Sequence, residues 1–320
     1  FVDSSWYFLR YCDAHNDEAP WDIDALKLWM PVDQYIGGVE HAILHLLYAR
    51  FFVKALADMD LVGVQEPFLR LFTQGMITRH GAKMSKSKGN VISPTDYVER
   101  YGADTTRVYI LFIGPPDQDA DWADEGLEGV HRFLSRLWRI GAEVADTTEP
   151  ADVPAAPEAD DLALLRKAHW AIDKVTHDMS GRFAFNTAIA AIMELVNECY
   201  ALRDRASAGA MRFAVASAAS LVFPFAPHCG ADVYERLTGR RVWEEPWPAA
   251  DPSMLERDTF ELVCQVNGKV RDRVEASSSA TPDELKALCR EQPNVRAHLD
   301  GHEVVKEVVV PGKLVNLVVR

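Results

Sequence analysis

Lys83-Met84-Ser85-Lys86-Ser87, continued by Lys88-Gly89-Asn90, is the stretch on which the reading of this 320-residue chain turns. Three lysines and two serines in six residues, bracketed by Gly81 and Gly89, predict a hinged cationic loop. A solvated surface loop can share that composition, but a given five-letter word arises by chance only about once in 10⁴ chains of this length. Mobile ammonium groups suit the β- and γ-phosphates of ATP, where they offset charge that develops as pyrophosphate leaves. Upstream of the loop, residues 69–76 read as a short buried strand. Downstream, Ser93-Pro94-Thr95-Asp96 reads as a helix start, with Ser93 as N-cap, Pro94 at the first position and Asp96 reaching back. Gly102 ends that helix, and Asp104 is placed to cap the next.

Further upstream, Tyr35-Ile36-Gly37-Gly38-Val39-Glu40-His41 runs into residues 42–53, which are apolar on nearly every face, as in a helix packed inside an α/β layer. Glycines there permit close backbone approach, and a helix N-terminus favours anionic ligands. His41 and His45 stand four apart, a spacing that zinc sites use. Glu40 precedes both, however, so the pattern is not H-E-x-x-H, and no metal site is expected.

The net charge of −14 argues against a nucleic-acid binder unless basic groups are locally arrayed. Residues 260–320 hold nine Lys/Arg and nine Asp/Glu, so the whole deficit sits upstream. Five scattered cysteines form no C-x-x-C pair, which fits a cytoplasmic protein without a disulfide scaffold or zinc knuckle. No apolar run is long enough for a membrane span, and no partner membrane is expected.

Three regions are expected: 1–116, an α/β nucleotide-binding part; 117–257, an α-helical bundle; and 258–320, a small α+β module. In the bundle, Leu165, Ala168, Ile172, Val175 and Met179 step by three and four, as do Ala188, Ile192, Leu195, Cys199 and Leu202. In the module, Asn267-Gly268 and Pro311-Gly312 mark two hairpins, and Thr281-Pro282-Asp283-Glu284 is a capping box, giving ββαββ. Lys269, Arg271 and Arg273 alternate along one strand and so share a face. Lys313 extends that patch.

The lysine loop resembles the signature of the class I aminoacyl-tRNA synthetases. Three groups of residues make the resemblance closest to the leucyl branch. They are Tyr101-Gly102-Ala103-Asp104-Thr105 with Arg132-Phe133-Leu134; Phe185-Asn186-Thr187-Ala188 with Pro224-Phe225-Ala226-Pro227-His228; and the module's Gln265–Arg271 with Val310–Asn316. The resemblance covers essentially the whole chain. It implies a partial Rossmann-like fold, a tRNA-binding helical domain (the anticodon-stem binder) and a small tRNA-binding module. It also implies ATP-dependent activation of leucine and transfer to tRNA-Leu, with magnesium accompanying the ATP. Lys83 and Lys86 are then the catalytic lysines. ATP falls to Gly38, Glu40 (on ribose hydroxyls), Met76, Lys83, Met84, Ser85, Lys86 and Ser87. Ser4, Tyr7 and His41 contact the amino acid, and Lys269, Arg271 and Lys313 contact tRNA. The family's His-x-Gly-His motif and editing insertion are absent, and the chain has no initiating Met. The expectation is therefore an upstream half, in cis or as a separate chain, without which this portion is inactive. The alternative is a catalytically silent tRNA-binding subunit.

Overall fold

The computed structural model describes residues 1–85, 87, 89–147, 152–181, 183–255, 259–278 and 280–320. Contacts divide the chain into two units, Phe1–Ala249 and Ala250–Arg320.

The first unit begins as an α/β assembly of α1 (Tyr7–Arg10), α2 (Ile23–Trp29), β1 (Tyr35–Gly38), α3 (His45–Asp58), β2 (Leu71–Gln74), β3 (Ile77–Arg79), β4 (Ala82–Lys83), α4 (Pro94–Tyr101), α5 (Ala103–Phe112) and β5 (Ala120–Asp121). β1 and β2 pair in parallel, while β3 lies between antiparallel β4 and parallel β5. α2 starts where Asp22 accepts from the backbone of Asp24 and Ala25, a side-chain N-cap. A small core of Phe8, Leu9, Leu26, Met30, Ala49, Val53 and Val62 fixes α1, α2 and α3 together.

Two sequence expectations need correction here. The strand in residues 69–76 is not buried: β2 keeps only Leu71–Gln74, and Leu71 is 50% exposed. The apolar helix is not enclosed either. Ala49 and Val53 face the small core and Leu46 is also buried, whereas Leu47 and Phe51 are 55% and 65% exposed. One face of α3 is therefore packed and the rest of its apolar surface is left open. Phe1, Val2, Leu47, Tyr48, Phe51 and Phe52, with Ser5, line a largely apolar cavity of about 570 Å³ there.

The bundle comprises α6 (Asp124–Thr147), α7 (Ala159–Ser180), α8 (Phe185–Leu202), α9 (Ala208–Val222) and α10 (Pro227–Thr238). Both apolar stripes read from the sequence are buried, apart from Met179, which is half-buried. Buried Asp178 joins α7 to α8 by accepting from Lys174 and from the Thr187 hydroxyl. Ser207 caps α9, and Gly239 ends α10 in the left-handed conformation.

The caps around α4 and α5 differ from the sequence reading. α4 starts with Pro94 at its first position, as expected, but Ser93 contributes no side-chain cap bond. Pro94's fixed φ sets the helix start without one. Asp104 does not cap its own helix. Its carboxylate instead accepts from the backbone N–H groups of His228 (3.4 Å) and Cys229 (2.7 Å), at the start of α10. One turn on, Arg107 donates to the carbonyls of Pro224 (3.2 Å) and Phe225 (3.3 Å), just past the end of α9. An anion thus meets a helix N-terminus and a cation the end of the preceding helix, each sign matching the helix dipole.

The second unit holds α11 (Pro252–Leu255), β6 (Thr259–Val266), β7 (Lys269–Ser277), α12 (Pro282–Glu291), α13 (Pro293–Leu299), β8 (Val304–Val310) and β9 (Leu314–Val319). Its sheet runs β7-β6-β9-β8, with β6 and β9 parallel. Asn267 and Gly268 both have positive φ (51° and 75°), the two-residue turn that their sequence demands. The capping box of Thr281 and Glu284 is formed. Between the hairpins lie two helices rather than the one expected, because Pro293 stops α12 and opens α13.

The shared basic face is overturned. Val263 pairs with Arg273 and Cys264 with Asp272, but Gln265 then pairs with Val270 and Val266 with Lys269. Arg271 is the extra residue of a β-bulge, so every side chain beyond it changes face. Lys269 shares the face of buried Val266, whereas Arg273 takes the other and pairs with Glu261. Lys313 does not extend the patch either. Its carbonyl bonds the Val263 N–H, three residues back along β6 from Val266, or about 10 Å.

Removing the inter-helix cap should loosen the first unit. Asp104→Ala is expected to cost about 1 kcal/mol and to lower the melting temperature by roughly 2–4 °C, with Asp104→Asn retaining most of the stability. Differential scanning fluorimetry of the two variants measures this, and equal melting of Asp104→Ala and the unmodified chain would discount the cap.

Candidate nucleotide and amino-acid site

Three hydroxyl- or nitrogen-bearing rings converge from different elements. Tyr7 comes from α1, Tyr35 opens β1 and His45 opens α3. Tyr35 Oη lies 2.7 Å from Tyr7 Oη and 2.5 Å from His45 Nε2. Its ring stacks on Phe68 with centroids 3.8 Å apart. Burial, and then the bond to Tyr7, push the Tyr35 phenol pKa upward. Burial, with His41 nearby, holds the His45 imidazole below its usual range. Tyr7, Tyr35 and His45 thus form one hydrogen-bonded chain, in which either phenol can donate. These half-buried rings set apolar faces beside polar atoms in one aromatic cluster.

Of the three substrate contacts expected here, Tyr7 is in this cluster and His41 borders it, its ring 6.2 Å from that of His45. The two histidines are not on one helical face. A 3-10 turn, Val39–Ile43, carries His41, and Leu44 (φ −117°, ψ −103°) breaks the path into α3. Ser4 is exposed, and its hydroxyl donates to the Phe1 carbonyl at 2.9 Å. Tyr35, His45 and Phe68 were not singled out from the sequence as substrate contacts. Tyr35 lies inside the glycine-rich segment, but the convergence of positions 7, 35, 45 and 68 is produced by the fold.

The β1–β2 register places Gly38 beside Gln74, two residues before Met76. The Glu40 carboxylate folds back over the α-carbon of Gly38, where a β-carbon would collide with it. Gly75 is equally constrained, because a side chain would strike the Gln118 carbonyl. Met76 donates its N–H to Asp119 (2.7 Å) and accepts from Ala120 (3.0 Å). From there β3 leads into the lysine loop. Asp121 accepts from Thr78 (2.7 Å) and from the Gly81 N–H (3.0 Å), bonds that hold its pKa below the usual carboxylate range. Lys83 is exposed at the end of β4. The Asn90 amide closes the loop's neck, accepting from the Ser85 N–H (2.9 Å) and donating to the Lys83 carbonyl (3.3 Å). Ser85 and Ser87 face each other at 3.2 Å, and Met84 is half-buried between Lys83 and Ser85. Lys86 and Lys88 lie outside the described residues. Among the described residues no group of three His, Cys, Asp or Glu is arranged to hold a metal ion, and no helix is long and apolar enough to cross a membrane.

Two family models match: "tRNA synthetases class I (I, L, M and V)" over residues 22–123, and "Anticodon-binding domain of tRNA ligase" over residues 161–287. The chain is 48% identical over its whole length to a leucine–tRNA ligase of Nitratidesulfovibrio vulgaris (strain DSM 19637 / Miyazaki F), covering 40% of that protein. It is 44% identical to one of Symbiobacterium thermophilum, covering 41%. The chain thus spans about 40% of the length of the curated relatives it matches. Among solved structures, the LeuRS of Agrobacterium radiobacter K84 (agnB2), in a ternary complex with tRNA and LeuAMS, superposes with a TM-score of 0.88 at 34% identity. That match covers 100% of this chain and 42% of the other. Methionyl-tRNA synthetase of Mycobacterium tuberculosis, bound by methionyl-adenylate, shares the fold at a TM-score of 0.52 and 21% identity, over 75% of this chain and 52% of that one. Over its whole length the chain is thus similar to part of the leucine–tRNA ligases, among the class I aminoacyl-tRNA synthetases.

Proposed function

We propose that the chain is the portion of a leucine–tRNA ligase that binds leucine and the ATP phosphates and then engages tRNA-Leu. One observation carries this reading: a single short parallel pair, β1 with β2, sets Tyr35 of the aromatic cluster and Gly38 beside the strand whose end leads on to the lysine loop. The cluster of Tyr7, Tyr35, His45 and Phe68, bordered by His41, takes the leucine, and Ser4 stands at its rim. Gly38 lets adenosine approach the backbone, while Glu40 swings to the ribose hydroxyls. Met76 packs beside the base. Lys83 and Lys86, with Met84, Ser85 and Ser87 shaping the loop between them, close on the phosphates. There they stabilise negative charge moving to pyrophosphate as the leucine carboxylate attacks the α-phosphorus. Magnesium, which favours phosphate oxygens and water, would ride on the triphosphate rather than in a protein cage. The tRNA complex of the Agrobacterium relative supports tRNA as the acyl acceptor.

The open apolar face of α3 supports a further element of this reading. The relatives are about two and a half times longer than this chain, and the rest of their catalytic fold is proposed to cover Leu47, Phe51 and the adjoining cavity. The chain alone is then expected to show no leucine-dependent ATP–pyrophosphate exchange, and addition of the upstream half should restore it. Robust exchange by the chain alone would sink this part of the reading.

In the complete enzyme, Lys86→Ala is expected to lower the exchange rate constant by roughly 10²–10³, with little change in the KM for leucine. A change confined to KM would make Lys86 a ground-state binder.

Residues 1–116, 117–257 and 258–320 are proposed to divide the labour between activation, tRNA stem contact and a second tRNA contact. Lys269 and Arg271, at the turn end of β7, and Lys313, at the other hairpin, would then touch separate phosphates. Deleting residues 250–320 should spare pyrophosphate exchange and weaken tRNA charging. Equal charging by the shortened enzyme would remove the RNA role of the terminal unit.

A further inference from the structure

Arg132, Arg136 and Arg139 follow one another at intervals of four and three on α6, a single stripe on a helix with about 3.6 residues per turn. The outer two stand about 10 Å apart along the axis. Both are exposed, and neither has an ion-pair partner among the described residues. Arg136 is held by neutral groups: it donates to Asn197 Oδ1 at 2.7 Å, and its guanidinium lies 4.5 Å over the Tyr200 ring. Its position is fixed while its charge stays uncompensated. At the ends of the stripe stand Glu128 and Glu143, the latter 3.7 Å from Arg203. Beside its first residue, the Tyr101 ring meets His131 at 5.8 Å, and Arg100 lies 4.8 Å over Tyr101.

Ion pairing does not explain three aligned arginines on a chain of net charge −14. Elsewhere in the bundle, surface arginines do find carboxylates: Arg205 with Asp160, Arg236 with Asp232, Arg240 with Glu245 and Arg241 with Glu244. A planar guanidinium left free, or held only by an amide and a ring, presents its donor fork to a phosphate. α6 also lies between the two family matches, 22–123 and 161–287, so neither assigns it a role.

We propose that the α6 stripe of Arg132, Arg136 and Arg139 is a docking track for the sugar–phosphate backbone of tRNA, between the lysine loop and the rest of the bundle in sequence. The inference rests on the tRNA-ligase reading and adds to it a surface outside the anticodon-binding match. Backbone contacts of this kind fix orientation and contribute salt-dependent affinity without reading bases.

The test uses the 320-residue chain and fluorescently labelled tRNA-Leu transcript, with anisotropy measured across a series of salt concentrations. In the Arg132→Gln/Arg139→Gln variant, binding should weaken, and the slope of log K against log[salt] should flatten by roughly 0.7–0.9 per lost phosphate contact. Arg132→Lys/Arg139→Lys should keep most of the slope, which separates a charge contact from a folding defect. Arg240→Gln/Arg241→Gln, which removes guanidiniums already paired with carboxylates, should leave it unchanged. An unaltered slope in the α6 glutamine variant, with tRNA still bound, overturns the track and leaves the ligase reading standing. An equal loss in the Arg240/Arg241 control also overturns it, by reducing the effect to total charge. If the unmodified chain and the complete enzyme both fail to bind tRNA-Leu, the ligase reading falls and the track with it.

Discussion

Four residues of parallel pairing, Tyr35–Gly38 against Leu71–Gln74, set the geometry on which the site depends. Parallel strands need a long crossover between them, and here α3 supplies it. The pairing delivers Tyr35 to Tyr7 and His45 at one end and Gly38 to Gln74 at the other. The chain then passes Gly75, pressed against the Gln118 carbonyl, on its way to the lysine loop. A shift of this register by one residue would reverse which side chains face the cluster. The chemistry is distributed over the loops and helix starts, while their alignment comes from backbone hydrogen bonds.

Much of this was legible because the relevant signals are local. The lysine loop, the Pro94 helix start, both bundle stripes, the Asn267-Gly268 turn and the Thr281 capping box are each specified within a few residues. The structure places all of them near where the sequence does, apart from Lys86 and Lys88, which lie outside the described residues. What escaped the sequence depends on partners far along the chain. Tyr7, Tyr35, His45 and Phe68 form one cluster only after α1, β1 and α3 have packed. Asp104 looks like a local cap by spacing, yet its carboxylate finds free N–H groups more than a hundred residues later. The apolar residues 42–53 read as packed on nearly every face, yet only Leu46, Ala49 and Val53 are buried. The sequence could not say that only one face would be covered within this chain.

Asp104 and Arg107 also give the first unit a mechanical character. Two neighbouring turns of α5 hold the end of α9 and the start of α10, so the α9–α10 corner is gripped by the same helix that follows α4 and the lysine loop. Phe72 of β2 meets Phe183 at 5.3 Å, Phe183 meets Phe185, and Phe185 meets Phe225 at that same corner. A run of ring contacts thus leads from the strand that aligns the site to the corner of the bundle.

The bulge at Arg271 has a consequence in inheritance rather than in mechanics. Arg271 is the residue of β7 that no residue of β6 opposes, so losing its codon would leave every remaining pair in place: Asp272 opposite Cys264, Val270 opposite Gln265 and Lys269 opposite Val266. The strand carries one residue in reserve, and a deletion there would straighten the ladder without turning any side chain to the other face. Elsewhere in a regular strand the same loss would re-phase everything beyond it.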